Sequence, residues 1–130
     1  MIARPTIAIV DDDVAVRIAM GGLLRSLDLS VQLYGGGQEL LQCTSLPCMS
    51  CVITDAQMPG MDGFALIEAL RARNLDMPVI FMTGFAHVGF DQRAMALGAT
   101  CVLYKPFQDT DMIQCIENAL RPRKTESPPS

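Results

Sequence analysis

The sequence predicts an α/β domain, a (βα)5 chain folded as a doubly wound, five-stranded parallel sheet. Two observations carry this prediction. Five short runs rich in β-branched and other apolar residues alternate with five segments of helical periodicity. The helical segments are also long enough to carry the right-handed crossovers that parallel neighbours require.

Thr6 to Val10 (Thr-Ile-Ala-Ile-Val) is a continuous apolar run, as a strand buried on both faces needs. The next segment has apolar residues at 16, 19, 20, 23, 24 and 27, which is one stripe of an amphipathic helix. Gly21-Gly22 weakens that helix without shifting its phase. Ser30 to Tyr34 reads as the second strand, and Gln38 to Cys43 as a short helix that ends before Pro47. Cys51 to Asp55 is the third strand. Phe64 to Arg73 follows as a helix with apolar positions 64, 66, 67 and 70. Pro78 to Thr83 is the fourth strand, and residues 88–97 form a helix closed by Gly98. Thr100 to Tyr104 is the fifth strand, and Gln108 to Leu120 the last helix. The domain is thus expected over residues 1–121. The proline, serine and charge of residues 122–130 read as a flexible tail or the start of a linker to an effector domain.

Composition excludes several classes of function. The net charge of −4 argues against nucleic-acid binding by this domain alone. No apolar stretch approaches the roughly 18–20 residues that span a bilayer, and the N-terminus lacks a signal-peptide pattern. A cytoplasmic protein without membrane contact is expected. Five cysteines, an odd number, read as reduced thiols used as small apolar residues. Cys43, Cys48 and Cys51 lack zinc-motif spacing, and the single histidine is the distant His87. Gly35-Gly36-Gly37 lacks the G-x-G-x-x-G spacing of a nucleotide loop and reads as a turn.

The chemistry gathers at the strand ends. The first strand ends in Asp11-Asp12-Asp13, the third in Asp55, the fourth in Thr83 and the fifth in Lys105-Pro106. In a parallel sheet these termini share one edge, which is where such folds place their sites. Crowded carboxylates repel one another, and a hard divalent cation, Mg2+ or Mn2+, relieves that repulsion. Acidic ligands, a cation, a hydroxyl and one lysine suit phosphoryl transfer to a carboxylate. Each group also has a plainer reading. Asp13 is expected to be a helix N-cap, a strand-end threonine follows from β-propensity, and Lys-Pro marks a turn. Four strand ends that each carry the needed group favour the joint reading.

These residues resemble a known family. Ile9-Val10-Asp11-Asp12-Asp13, Asp55-Ala56-Gln57-Met58-Pro59-Gly60-Met61-Asp62-Gly63, Met82-Thr83-Gly84 and Lys105-Pro106-Phe107 are similar to the receiver domains of bacterial response regulators. The resemblance spans about residues 5–121. Thr83-Gly84 and Lys105-Pro106-Phe107 resemble the FixJ-like subgroup in particular. The resemblance implies a flavodoxin-like receiver fold and phosphorylation of Asp55 by a histidine kinase or phosphotransfer protein. It also implies Mg2+ bound by Asp12, Asp55 and the Gln57 carbonyl, with Asp11 acting through water. Thr83 and Lys105 would hold the phosphoryl group, the Lys105–Pro106 bond would be cis, and Gly84 would keep the approach to Asp55 open. Gln57 and Phe85 occupy the two variable positions beside the site. The expected output is transcriptional, through a phosphorylation-dependent homodimer of the fourth helix and fifth strand. A self-dephosphorylating phosphoacceptor is expected, not a turnover enzyme.

The family has Tyr or Phe three residues before the lysine, and here that position is Val102. Tyr104 lies two residues later on the same side of the strand. It reads either as a displaced switch residue or as ordinary β-propensity. The competing functions are a phosphate-independent interaction module, favoured only by Val102, and a Mg2+ phosphatase. The latter normally has a second aspartate two residues after its nucleophile, where this chain has Gln57.

Overall fold

A computed structural model of the chain describes residues 4–84 and 88–121. Phe85, His87 and the tail 122–130 therefore lie outside the described residues. The elements run β1 (Thr6–Val10), α1 (Val14–Ser26), β2 (Ser30–Tyr34), α2 (Gly37–Leu41), β3 (Cys51–Asp55), α3 (Gly63–Ala72), β4 (Val79–Thr83), α4 (Phe90–Ala96), β5 (Cys101–Tyr104) and α5 (Asp109–Leu120). A 3-10 turn, Leu46–Cys48, precedes β3 and holds Pro47 where its missing N–H costs nothing. The predicted elements are all present, with ends shifted by one or two residues, as fraying termini allow.

All pairings are parallel, and the strand order is β2-β1-β3-β4-β5. The order reverses between β1 and β3, which makes that crevice the switch point of the sheet. Alternation along the central strands divides the core in two. Ala8, Val10, Val52, Val79 and Phe81 meet Leu40, Leu66, Leu70 and Phe90 from α2, α3 and α4. Ile7, Ile9, Ile53, Ile80 and Met82 meet Leu24, Met112 and Ile116 from α1 and α5. Because the central strands are covered on both faces, they read as unbroken apolar runs. The Phe64 ring stands edge-on to Phe81 and Phe90, with centroids 5.1 and 5.2 Å away, and joins three elements beneath the site.

Local signals set the helix ends. Asp13 caps α1 by accepting from Ala15 N at 2.9 Å, as expected. Asp62 does the same for α3 through Ala65 N at 2.8 Å. Gln108 and Asp111 form a reciprocal capping box on α5. Gly98 ends the turn after α4 in the left-handed region, at φ 94°. Gly37 is closely approached by a flexible side chain: a Cβ there would lie 2.8 Å from Met61 Sδ, which would have to move aside. The glycine run is thus a turn with a close approach, in keeping with its sequence reading.

One expectation is corrected. Cys101 and Cys115 are joined by a disulfide, whereas five reduced thiols were expected. The pairing is non-local: it depends on β5 and α5 bringing two Cα atoms to 6.1 Å, a separation that a disulfide spans. Cys43, Cys48 and Cys51 remain free. They do not converge on a metal site: Cys51 is buried in β3, Cys48 is exposed, and the Cys43 thiol meets Ser45 and the Tyr34 hydroxyl. Thiol titration in denaturant without reductant is expected to count three reactive groups, rising to five after reduction. Five groups before reduction would rule the pairing out.

Candidate functional site

Asp11 follows β1, and Asp55 ends β3, so the two carboxylates flank the switch point. With Asp12 they offer three carboxylate oxygens that lie within 4.8 Å of one another. This is the only such group of metal-ligating side chains among the described residues. Asp11 is fully buried, Asp55 is 9% exposed and Asp12 faces solvent.

The two buried carboxylates are held alike. Asp11 Oδ1 accepts the Asp13 amide at 2.9 Å, and Asp55 Oδ1 accepts the Gln57 amide at 3.1 Å. Each is a local turn in which a side chain fixes the main chain two residues on. The second oxygens face Lys105, whose Nζ lies 3.2 Å from Asp55 Oδ2 and 3.5 Å from Asp11 Oδ2. The longer contact is an ion pair without hydrogen-bond geometry, for Asp11 Oδ2 is buried and has no hydrogen-bond partner. A buried carboxylate oxygen without a donor is costly. An all-oxygen donor set with one such oxygen fits Mg2+ or Mn2+.

Electrostatics follow this geometry. Burial pushes the Asp11 carboxyl above the ordinary range; the Asp13 amide and Lys105 oppose the rise, and Asp55 and Asp12 add to it. Burial alone would lower the Lys105 pKa, but the Asp55 and Asp11 carboxylates outweigh it and hold it above the ordinary lysine value. Its contribution to stability is complete below that ordinary value and is lost only as pH rises through the higher folded one. Lys105 is therefore a constant cation at physiological pH.

Every described residue of the expected site sits at this edge. Thr83 ends β4, is fully buried, and accepts the Lys105 amide at its carbonyl at 2.7 Å. The Lys105–Pro106 bond is cis. A Cβ on Gly84 would meet the Lys105 side chain at 3.9 Å, an ordinary contact. Val102 packs into the core on the α4 side of the sheet. Sequence reasoning missed Arg17, which donates from α1 to the Asp11 carbonyl and pins the acidic turn. Its position one turn into α1, behind three aspartates, was the available signal.

A doubly wound sheet with an acidic cluster and a lysine at its switch point defines a phosphoryl-transfer class of α/β domain. Within that class the chain belongs to the response regulator receiver domain family, whose model matches residues 7–117. It is 36% identical over 121 residues to the transcriptional regulatory protein FixJ of Bradyrhizobium diazoefficiens, covering 93% of this chain and 59% of that protein. Nodulation protein W of the same species is 34% identical over 113 residues, covering 87% of this chain and 50% of that protein. Among solved structures, FixJ-N superposes with a TM-score of 0.81 at 30% identity, covering 92% of this chain and 95% of that one. The response regulator StyR superposes with a TM-score of 0.83 at 35% identity, covering 91% of this chain and 60% of that one. The chain thus spans a little over half the length of the curated relatives it matches. It is a receiver domain of the two-component type, as the motifs implied, and the phosphate-independent module is not favoured.

Proposed function

We propose that Asp55 accepts a phosphoryl group from the phosphohistidine of a histidine kinase or phosphotransfer protein. The convergence of Asp11, Asp12, Asp55 and Lys105 on one strand edge carries this reading. A carboxylate oxygen of Asp55 attacks phosphorus, the P–N bond breaks, and the imidazole leaves with the electron pair. Lys105 pairs with the transferred group, and the Thr83 hydroxyl donates to one of its oxygens. The carboxylates of Asp11, Asp12 and Asp55 and the Gln57 carbonyl would hold Mg2+ or Mn2+, which supplies positive charge to the phosphoryl oxygens. Water later cleaves the acyl phosphate, so the domain catalyses its own transfer and dephosphorylation without turning over free substrates.

Residues 1–121 form the receiver, and residues 122–130 are a tail or the start of a linker to an effector domain; the greater length of the relatives supports the linker. The domain works in the cytoplasm; among the described residues no helix is long and apolar enough to cross a membrane. Phosphorylation favours a homodimer through α4 and β5. Incubation with a small phosphodonor and Mg2+ is expected to add the mass of one phosphoryl group to the intact protein. Asp55→Asn and excess chelator should each abolish the gain. Unchanged mass of the intact protein with Mg2+ present would sink the reading.

A further inference from the structure

Tyr104 links the strand-end site to α4. It is the covalent neighbour of Lys105 and the register partner of Thr83, so two site groups flank it along and across the sheet. Its side chain leaves the site, however. The phenol donates a hydrogen bond to the carboxylate of Asp91 in the first turn of α4, and its ring lies 6.5 Å from that of Phe90. Tyr104 is 41% exposed, so burial does not explain its orientation. The phenol pKa is raised, first by that hydrogen bond.

The helix it holds is short, and beyond its Phe90 ring packing it has the Arg93 guanidinium 4.0 Å over the Phe64 ring. Only Phe90 and Ala94 of its seven residues are buried, and no side chain caps its N-terminus. A helix this short depends on tertiary contacts, so one added bond shifts its opening equilibrium measurably. Val102, at the other position on this face of β5, is aliphatic and can make no such bond.

Resting on the phosphoacceptor reading of Asp55, we infer that the Tyr104–Asp91 hydrogen bond latches α4 to β5 in the unphosphorylated domain. Phosphorylation releases it. A phosphoryl group on Asp55 draws Lys105 and Thr83 to its oxygens, and β5 carries Tyr104 with them, away from Asp91. The equilibrium at α4 then moves toward the open state in proportion to the lost bond.

Amide hydrogen exchange along α4, measured with and without beryllofluoride and Mg2+ as a phosphoryl mimic, tests the latch. In the natural chain the mimic should speed α4 exchange. In Tyr104→Phe and in Asp91→Ala, the free protein should already exchange about fivefold faster there, the effect of one modest hydrogen bond. The mimic should then add little, and the double variant should match the single ones. Beryllofluoride should bind these variants more tightly than the natural chain, because a latch that the phosphoryl group releases opposes its binding by the same factor. Variants that exchange like the natural chain would overturn the latch, as would a natural chain whose α4 exchange ignores bound beryllofluoride. Failure of beryllofluoride to bind at all would overturn the phosphoacceptor reading and the latch together.

Discussion

Replacing Asp11 with asparagine is expected to raise the melting temperature of the metal-free protein and to remove about half of the further rise that Mg2+ brings. Both effects come from the same buried oxygen. The raised pKa of Asp11 means that the folded state binds its proton more tightly than the unfolded state does. Stability therefore falls as pH climbs from the ordinary carboxylate value of about 3.9 through the higher folded value, and the penalty is constant above it. Asparagine keeps an oxygen for the Asp13 amide but carries no charge to bury beside Asp55 and Asp12. Lys105 retains its partner in Asp55. Relief of about 1 kcal/mol would raise the melting temperature by roughly 4 °C in a domain of this size. With Mg2+ at a hundred times its dissociation constant, the natural protein should gain about 2.7 kcal/mol. Loss of one anionic ligand should weaken binding at least about tenfold, which leaves about 1.4 kcal/mol at the same concentration. Thermal melts at pH 7.5, with chelator and then with Mg2+, read both numbers. A variant that melts lower without metal would refute the cost assigned to the buried charge, and an unchanged Mg2+ response would remove Asp11 from the ligand set.

The sequence exposed the parts of this arrangement that depend on local chemistry. Strand runs, helix stripes, the Asp13 cap and the Gly98 turn each follow from residues within one element, so periodicity and capping rules found them. The site was legible for a related reason. Parallel strands must end along one edge, so Asp11, Asp55, Thr83 and Lys105 could be brought together without knowing any distance. Contacts between elements were not legible in that way. The Cys101–Cys115 pair depends on how α5 lies across β5, and an odd cysteine count pointed the other way. Tyr104 was left between two readings because the strand pattern fixes its side of the sheet and not its partner. Its hydrogen bond to Asp91, on a helix whose placement is set by Phe90 and Ala94, lies beyond what that pattern specifies. Gly63, the second glycine of the Met-Pro-Gly-Met-Asp-Gly stretch that follows Gln57, carried the family resemblance without any physical reason for its being glycine.

That reason is a close approach, and it makes Gly63→Ala the substitution with the largest expected cost. Alanine in a helix normally improves on glycine by about 1 kcal/mol. At Gly63 a Cβ would stand 2.8 Å from the Asp55 carbonyl oxygen and 3.0 Å from Ala56 Cα. Both are main-chain atoms, so no side chain can rotate out of the way. The main chain is pinned as well, with Ala56 N donating to Met82 O at 2.8 Å and Gly63 N donating to Ala56 O at 2.9 Å. Phe81, 3.4 Å from the same point, closes the remaining side. The β3–α3 turn must therefore open or α3 must slide, at a cost of roughly 2–3 kcal/mol. Either movement shifts Asp55 against Lys105, because the strained turn begins at the phosphoacceptor itself. A displacement near 1 Å at reacting groups can slow transfer about a hundredfold, so phosphorylation should fail well below the unfolding temperature. Gly22→Ala is the control: it lies in α1 with nothing within 4 Å of its Cβ, and should gain about 0.5–1 kcal/mol. Denaturant midpoints of the two variants should thus move in opposite directions from the natural protein. If Gly63→Ala were as stable as Gly22→Ala and phosphorylated at the natural rate, the turn would have to be looser than its hydrogen bonds imply, and the tie between this glycine and the position of Asp55 would be wrong.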